Sequence, residues 1–311
     1  MGIKYFDTLG QDFGKISFKN PILTASGTFG YATEYSNFFD VSNLGAVVTK
    51  AITKSPRLGN EGARIFETAS GMINRIGLEN VGVDKFCEVK LKELQENNIN
   101  FIVNVAGSSP DEYVYVARKL DEVGVRAIEV NVSCPNVKAG CLEFGTDEVA
   151  LGELTSLIRQ AFSGFLVIKL TPNVTRIENL ARAAQMAGAD AISAINTLKG
   201  VGLKLEFSGK SVRKMLVEGG LSGKCIKPHA LSCIKRIKSA VTIPIIGMGG
   251  ISTLDDVLEF IAVGADLVQI GTENFTNPDI SSKIISQLEE FMITHGFKDF
   301  SELKEILRDG I

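Results

Sequence analysis

The sequence has little that ties it to disulfide, metal or nucleic-acid chemistry. Its 311 residues include five cysteines, Cys87, Cys134, Cys141, Cys225 and Cys233, an odd count without a C-x-x-C pair. That argues against a disulfide framework, a zinc site or an internal iron–sulfur cluster, and predicts a reducing, cytoplasmic setting. Only two histidines occur, His229 near an expected helix start and His295 near the C-terminus. Neither offers Cys134 a catalytic partner, which disfavours a Cys–His protease, and no H-E-x-x-H or clustered carboxylates suggest a metal site. The formal charge is only -3, with 33 basic residues scattered among 36 acidic ones, so no basic stripe marks a nucleic-acid footprint. Residues 1–20 mix polar and apolar side chains, with no 18-residue apolar run and no charged-then-apolar leader, so neither membrane insertion nor export is expected.

What is present is a hydrophobic fraction of 45%, enough for a large core. Short β-branched runs bounded by Gly, Pro or Asn recur at 21–25, 46–49, 101–105, 127–131, 166–170, 191–196, 243–247 and 267–271. Between them, segments of helical period cover 83–96, 111–122, 151–162, 177–186, 228–239 and 254–263. Strands alternating with helices predict parallel pairing through right-handed crossovers, and eight such units in one chain predict an α/β fold, a closed (β/α)8 TIM barrel forming a single domain over residues 1–311. Residues 5–20 alternate in two short runs around 10–14, the pattern of an N-terminal β-hairpin at the barrel bottom. Two long insertions, 51–80 after the second strand and 197–227 after the sixth, exceed what barrel closure needs and predict lids or partner surfaces.

In such a barrel the site forms at the C-terminal strand ends. Lys50 follows the second strand, Asn104 ends the third, Asn131 the fourth and Lys169 the fifth, and Asn196 with Thr197 ends the sixth. Asn alone often caps helices or fills turns, but a filled barrel has no structural need for two lysines at its mouth. The last strands end in Gly247-Met248-Gly249-Gly250 and Gly271-Thr272, and the sixth connection contains Gly219-Gly220-Leu221-Ser222-Gly223. Glycines there suit close approach to a phosphate, the alternative being simple tight turns. They do not match G-x-G-x-x-G, so a dinucleotide-binding unit is not expected.

The segment Asn131-Val132-Ser133-Cys134-Pro135-Asn136-Val137 follows the fourth strand. Cys87 and Cys233 read as small buried hydrophobes. Cys134, in a polar loop at the mouth, reads as reactive, a thiol able to act as general base when nearby charge or desolvation tunes it.

Taken together these residues resemble the dihydroorotate dehydrogenases over essentially the whole chain, nearest the type 1B enzymes. The matching segments are A-S-G-T-F-G at 25–30, T-K-A at 49–51, N-R-I-G-L at 74–78, N-V-S-C-P-N-V-K at 131–138, I-N-T at 195–197, G-G-L-S-G at 219–223 and G-M-G-G-I at 247–251. The resemblance implies oxidation of (S)-dihydroorotate to orotate in pyrimidine biosynthesis, with Cys134 taking the proton from carbon 5 while a hydride leaves carbon 6 for flavin mononucleotide (FMN). It implies that Lys50, Asn74, Arg75, Ile76, Gly77, Leu78, Asn131, Asn136, Asn196 and Thr197 bind the substrate. Ser26, Lys50, Ala51, Asn104, Asn131, Lys169, Ile195, Gly223, Gly249, Gly250, Gly271 and Thr272 are implied to line or cradle FMN, with Lys169 at the flavin's pyrimidine edge favouring the anionic reduced form. It further implies an electron-transfer partner subunit carrying FAD and a 2Fe-2S cluster and passing electrons to NAD, in a heterotetramer built on a homodimer core. Type 1A relatives use fumarate instead, and type 2 enzymes are quinone-linked through an N-terminal membrane helix. One departure is Cys141, where the pattern has a second glycine after Gly140.

Two other enzyme readings remain at this point. A dihydropyrimidine dehydrogenase-like enzyme shares flavin, barrel and cysteine but acts on an uncharged base; Lys50 and Asn136 lean toward a carboxylate substrate. Lys169 is also placed as a Schiff-base lysine of a barrel aldolase would be, which leaves Cys134 and the asparagines unexplained. A non-catalytic scaffold is the reading outside enzymology.

Overall fold

The computed structural model describes residues 6–133 and 144–311. Eight parallel strands close a barrel: β3 (Ile22–Thr24), β4 (Ala46–Val48), β7 (Phe101–Val105), β8 (Ala127–Asn131), β9 (Phe165–Lys169), β10 (Ala191–Ala194), β13 (Ile245–Met248) and β14 (Leu267–Ile270). Each falls within or overlaps a run expected from sequence. They pair in chain order, and β14 returns to β3 to remove both sheet edges.

Alternation along each strand separates two cores. Outward residues such as Val47, Val103, Ile128, Val130, Leu166, Ile168 and Val268 pack with the surrounding helices. Inward residues Leu23, Ala46, Val48, Ile102, Ala127, Phe165, Val167, Ile246 and Leu267 form a second apolar cluster inside the barrel. A two-stranded hairpin of β1 (Gln11–Asp12) and β2 (Ser17–Phe18) seals it, placing Ile16 and Phe18 in that same cluster with Phe13 against it. The expected hairpin is therefore present, although Phe6–Leu9 forms a helical turn. Four residues are too few for periodicity to distinguish a strand from such a turn.

Several helices begin where capping residues stand. Ser109 precedes Pro110–Glu122 and accepts from the Glu112 amide, Asp147 accepts from the Ala150 amide ahead of Glu148–Ala161, and Asp299 caps Phe300–Arg308. The helix expected over 83–96 is present with a π-helical turn at Phe86–Lys90 in its middle. No helix among the described residues is long and apolar enough to cross a membrane.

The two long insertions build one structure. β5 (Ile65–Thr68) and β6 (Gly71–Asn74) come from the first, β11 (Leu198–Ser208) and β12 (Ser211–Ser222) from the second, and they form one antiparallel sheet in the order β11-β12-β6-β5. The join is Gly220 opposite Asn74, Leu221 opposite Ile73 and Ser222 opposite Met72. Glycine is required there: a Cβ on Gly219 would stand 2.1 Å from the Asn74 carbonyl oxygen, and one on Gly220 2.1 Å from Thr197 Oγ1. This sheet rises over the C-terminal strand ends and supplies a wall to the site.

Candidate active site

Inward residues change character toward the C-terminal ends. Above the apolar layer lie Asn104, Glu129 and Gln269, all fully buried, and above them Asn131, with Lys169 and the fully buried Ser193 level with it on β9 and β10. Glu129 collects the polar layer: Asn104 Nδ2 donates to its Oε1 at 2.7 Å, Gln269 Nε2 to its Oε2 at 2.8 Å, and Lys169 Nζ lies 3.4 Å from Oε1.

A cavity of about 1380 Å³ opens over this layer, walled by the strand ends and the added sheet. Sites for one drug-sized ligand run to roughly 1,000 Å³, so there is room here for a large planar ligand together with a small second molecule. Every expected site residue among the described ones lines it, except Asn104. Asn104 lies one layer lower, level with Glu129 in the β7–β8 register, its amide nitrogen spent on that carboxylate. Cys134 and Asn136 lie outside the described residues, as does Cys141. The residues flanking that segment, Val132 and Ser133 on one side and Gly145 and Thr146 on the other, line the cavity.

One side of the cavity is an amide cluster. Asn131 Oδ1 accepts from the Ser133 amide at 3.1 Å and from Asn196 Nδ2 at 3.2 Å, while Asn196 Oδ1 accepts from the Thr197 amide at 2.8 Å. Asn173 Nδ2 donates to the Thr197 carbonyl at 3.0 Å, and Asn74 Nδ2 to the Gly220 carbonyl at 3.2 Å. Asn74 and Asn131 are thus held through one part of the amide, Asn173 and Asn196 through both. Lys50 stands at this mouth with Glu79 Oε1 3.8 Å away. Segment 74–78 borders it with Gly77 and Leu78 both at positive φ, and a Cβ on Gly77 would meet the Asn60 backbone nitrogen at 2.7 Å. Leu78 at φ 55 is a backbone conformation that costs a non-glycine residue energy and is concentrated at ligand sites.

The other side is a glycine cradle. Gly249 and Gly250 have φ of 124° and 84°, and a Cβ on Gly250 would meet the Lys227 amide nitrogen and the Gly223 carbonyl oxygen, both at 3.0 Å. Gly223, at φ 102, passes so close to Gly71 that a Cβ would sit 2.7 Å from its Cα. Thr272 Oγ1 donates to Ser222 Oγ at 2.8 Å across the floor of the cradle.

Behind the cradle, Asp256 braces the loop after β13. Its Oδ2 accepts from the backbone nitrogens of Ser252 and Thr253, completing a capping box with Thr253, and its Oδ1 accepts from Lys227 Nζ at 2.6 Å. Burial pushes its carboxyl upward, but the bonds from Lys227 and Ser252 outweigh burial and leave it below the ordinary carboxylate range. A folded-state value below the unfolded one means stability present above the unfolded pKa and lost as pH falls through the folded one. Asp256→Asn is therefore expected to destabilise the protein at neutral pH by about 1 kcal/mol or more, with the gap to wild type closing in acid; denaturant titrations at neutral and acidic pH check this, and a pH-independent gap would refute it.

Glu129, Gln269, Asn173 and Ser222 belong to the site without having been assigned from sequence. A polar residue inside an otherwise apolar strand, as in Ala-Ile-Glu-Val-Asn or Leu-Val-Gln-Ile, was the available signal for the first two. Asn173 takes its place through Thr197 and Lys199 at the start of β11, and Ser222 through the pairing of β12 with β6 across 146 or more residues of sequence.

A family model described as dihydroorotate dehydrogenase matches residues 8–292. Similar proteins include those named "Dihydroorotate dehydrogenase B (NAD(+)), catalytic subunit" from Parabacteroides distasonis, 45% identical over 95% of this chain and 96% of its own length, and from Trichlorobacter lovleyi, 45% identical over 95% and 97%. The protein of the same name from Listeria monocytogenes is 45% identical over 96% of this chain and 97% of its own. With a match of that extent, relatives covering it almost end to end and a barrel bearing this cavity, the chain belongs to the dihydroorotate dehydrogenase family.

Proposed function

We propose that this chain is the catalytic subunit of an NAD-linked dihydroorotate dehydrogenase, oxidising (S)-dihydroorotate to orotate for pyrimidine biosynthesis with FMN as its cofactor. The observation that carries the reading is that one cavity joins a glycine cradle to an amide cluster beside Lys50. The residues present fit FMN: Gly223, Gly249 and Gly250, at φ 102, 124 and 84 with protein atoms packed where a Cβ would stand, form tight loops that only glycine allows along this end of the cavity, and Gln269 Oε1 and Ser133 Oγ are buried oxygens on the cavity without a partner among the described residues. Gly223, Gly249, Gly250, Gly271 and Thr272 would hold the phosphate end, and Ser26, Ala51, Ile195 and Lys169 the ring. Bound FMN supplies the acceptor for the hydride leaving carbon 6 of the substrate.

The chain's own residues do the rest. Asn74, Asn131, Asn136, Asn196 and Thr197 offer both donors and acceptors to the planar amide edges of the pyrimidine. Lys50 sets a positive charge at the mouth for the substrate carboxylate, and the 74–78 backbone closes one side. Cys134 Sγ takes the proton from carbon 5. Its motif N-V-S-C-P-N-V-K and the cavity position of Ser133, Gly145 and Thr146 support that role.

A partner subunit carrying FAD and a 2Fe-2S cluster, in a heterotetramer on a homodimer core, completes the path to NAD in this reading. Two observations support a protein partner: the relatives are themselves named catalytic subunits, and one face of the β11–β12 hairpin exposes Val201, Leu203, Leu205, Phe207, Val212 and Leu216, with Phe207 73% exposed. A contiguous apolar face of that kind marks an interaction surface.

The test is a visible spectrum of the purified chain before and after anaerobic dihydroorotate. Flavin bands that bleach are the expected result. Bands that persist with dihydroorotate but bleach with a reduced uncharged pyrimidine base would replace the substrate assignment, and a chain that takes up no FMN would end the reading.

A further inference from the structure

Glu129 is a carboxylate at 0% exposure inside a filled barrel, on the inward face of β8. Burying such a charge costs several kcal/mol unless partners offset it. Its partners come from three different strands: Asn104 of β7 at 2.7 Å, Gln269 of β14 at 2.8 Å and Lys169 of β9 at 3.4 Å. All three are donors and both carboxylate oxygens accept, the pattern of an ionised group.

Lys169 is itself 4% exposed, yet it lines the cavity. Its ammonium therefore stands between the carboxylate and whatever occupies the cavity. The residues level with it on the neighbouring strands, Asn131 of β8 and Ser193 of β10, are uncharged. The cavity's other strand-end cation, Lys50, has Glu79 nearby, and the remaining buried acids, Asp256 and Asp266, pair with Lys227, Lys304 and Arg308. Among the described residues Glu129 is the carboxylate within ion-pair reach of Lys169.

We propose that Glu129 is a positioning residue for electron acceptance: it holds Lys169 as a cation at the floor of the cavity and thereby sets how readily the bound flavin takes up negative charge. This rests on the functional reading above, in which Lys169 faces the flavin's pyrimidine edge. Glu129 touches neither substrate nor cofactor in that arrangement and acts through the lysine. Without the carboxylate, a desolvated ammonium has no counter-charge to hold it at the cavity floor, and positive charge under the ring is lost.

The experiment uses the FMN-loaded chain and reads sulfite binding by absorbance. Sulfite adds reversibly to oxidised flavin and leaves negative charge on the pyrimidine ring, so its affinity reports positive charge at that edge independently of turnover. Glu129→Gln keeps the shape and removes the charge; the expected result is sulfite affinity at least tenfold weaker, with a flavin midpoint potential shifted to more negative values. Lys169→Met should weaken sulfite similarly, and adding Glu129→Gln to it should change nothing further, because a residue acting through Lys169 has no effect once Lys169 is gone. Unchanged or tighter sulfite binding in Glu129→Gln, or additive losses in the double variant, would overturn the proposal. Should Glu129→Gln fail to fold alone, recovery of folded protein on adding Lys169→Met supports the coupling, and failure to recover refutes it. A wild-type chain that binds no FMN defeats the functional reading itself, whereas a flavin-loaded wild type beside a Glu129→Gln chain of equal sulfite affinity defeats only this inference.

Discussion

Cys134→Ala is expected to keep its FMN while the reduction of that flavin by dihydroorotate slows by at least ~10²-fold, the lower end of what a positioned general base contributes. The separation of the two effects is the point of the experiment. In the proposed reading FMN is held by the glycine cradle and the barrel floor, whereas proton removal from carbon 5 needs a base at the mouth. Among the described residues no thiol lines the cavity. Burial pushes Cys87 up and Cys233 up to about 11, and Cys225 is exposed at the helix start beside Gly223. Because the thiolate is the active form, wild-type flavin reduction should accelerate as pH rises toward an ordinary thiol value of about 8.5. Anaerobic stopped-flow absorbance gives both numbers. A rate that survives the substitution, or that is flat from neutral to alkaline pH, would remove thiolate catalysis from the mechanism.

The barrel was legible because each strand is a short apolar run punctuated by Gly, Pro or Asn, and such a run keeps its identity without its partners. That Lys50, Asn131, Lys169 and Asn196 line the cavity was legible for a related reason: in a parallel barrel the chain position of a strand end fixes its place in space. The glycines were legible as a class, but their reason is tertiary. Gly219 is required by the Asn74 carbonyl and Gly223 by Gly71, contacts across some 145 to 152 residues of sequence that no local pattern reveals. The same holds for the sheet joining the two insertions, whose strands alternate weakly and are mostly exposed on the β11–β12 side. Asn104 is the described residue among those expected at the site that is absent from the cavity lining, because its register puts it level with Glu129, to which its amide donates. Glu129 was hidden by its own context, since a carboxylate between Ile128 and Val130 has a visible role only when Asn104, Lys169 and Gln269 converge on it.

Gly250→Ala should weaken FMN binding roughly 10- to 100-fold while leaving riboflavin binding nearly unchanged. The backbone at φ 84 costs a residue with a Cβ about 1–2 kcal/mol, and each 1.4 kcal/mol is a factor of ten in affinity. The new methyl would stand 2.8 Å from Lys227 Cβ and 3.0 Å from the Lys227 amide nitrogen and the Gly223 carbonyl oxygen. The last two are backbone atoms at the start of helix Lys227–Lys238 and in the cradle, so relief requires the loop after β13 to shift from its place in the cradle. Gly296→Ala separates this from general strain. Gly296 closes helix Ile280–His295 at φ 70 with open space where a Cβ would stand, so its substitution should lower thermal stability and spare FMN affinity. Fluorescence titration of the apoprotein with FMN and with riboflavin reads both. The phosphate is what distinguishes the two ligands, so a Gly250→Ala chain that loses equal affinity for each would place the damage at the ring, and the loops after β13 and β14 would no longer account for the phosphate.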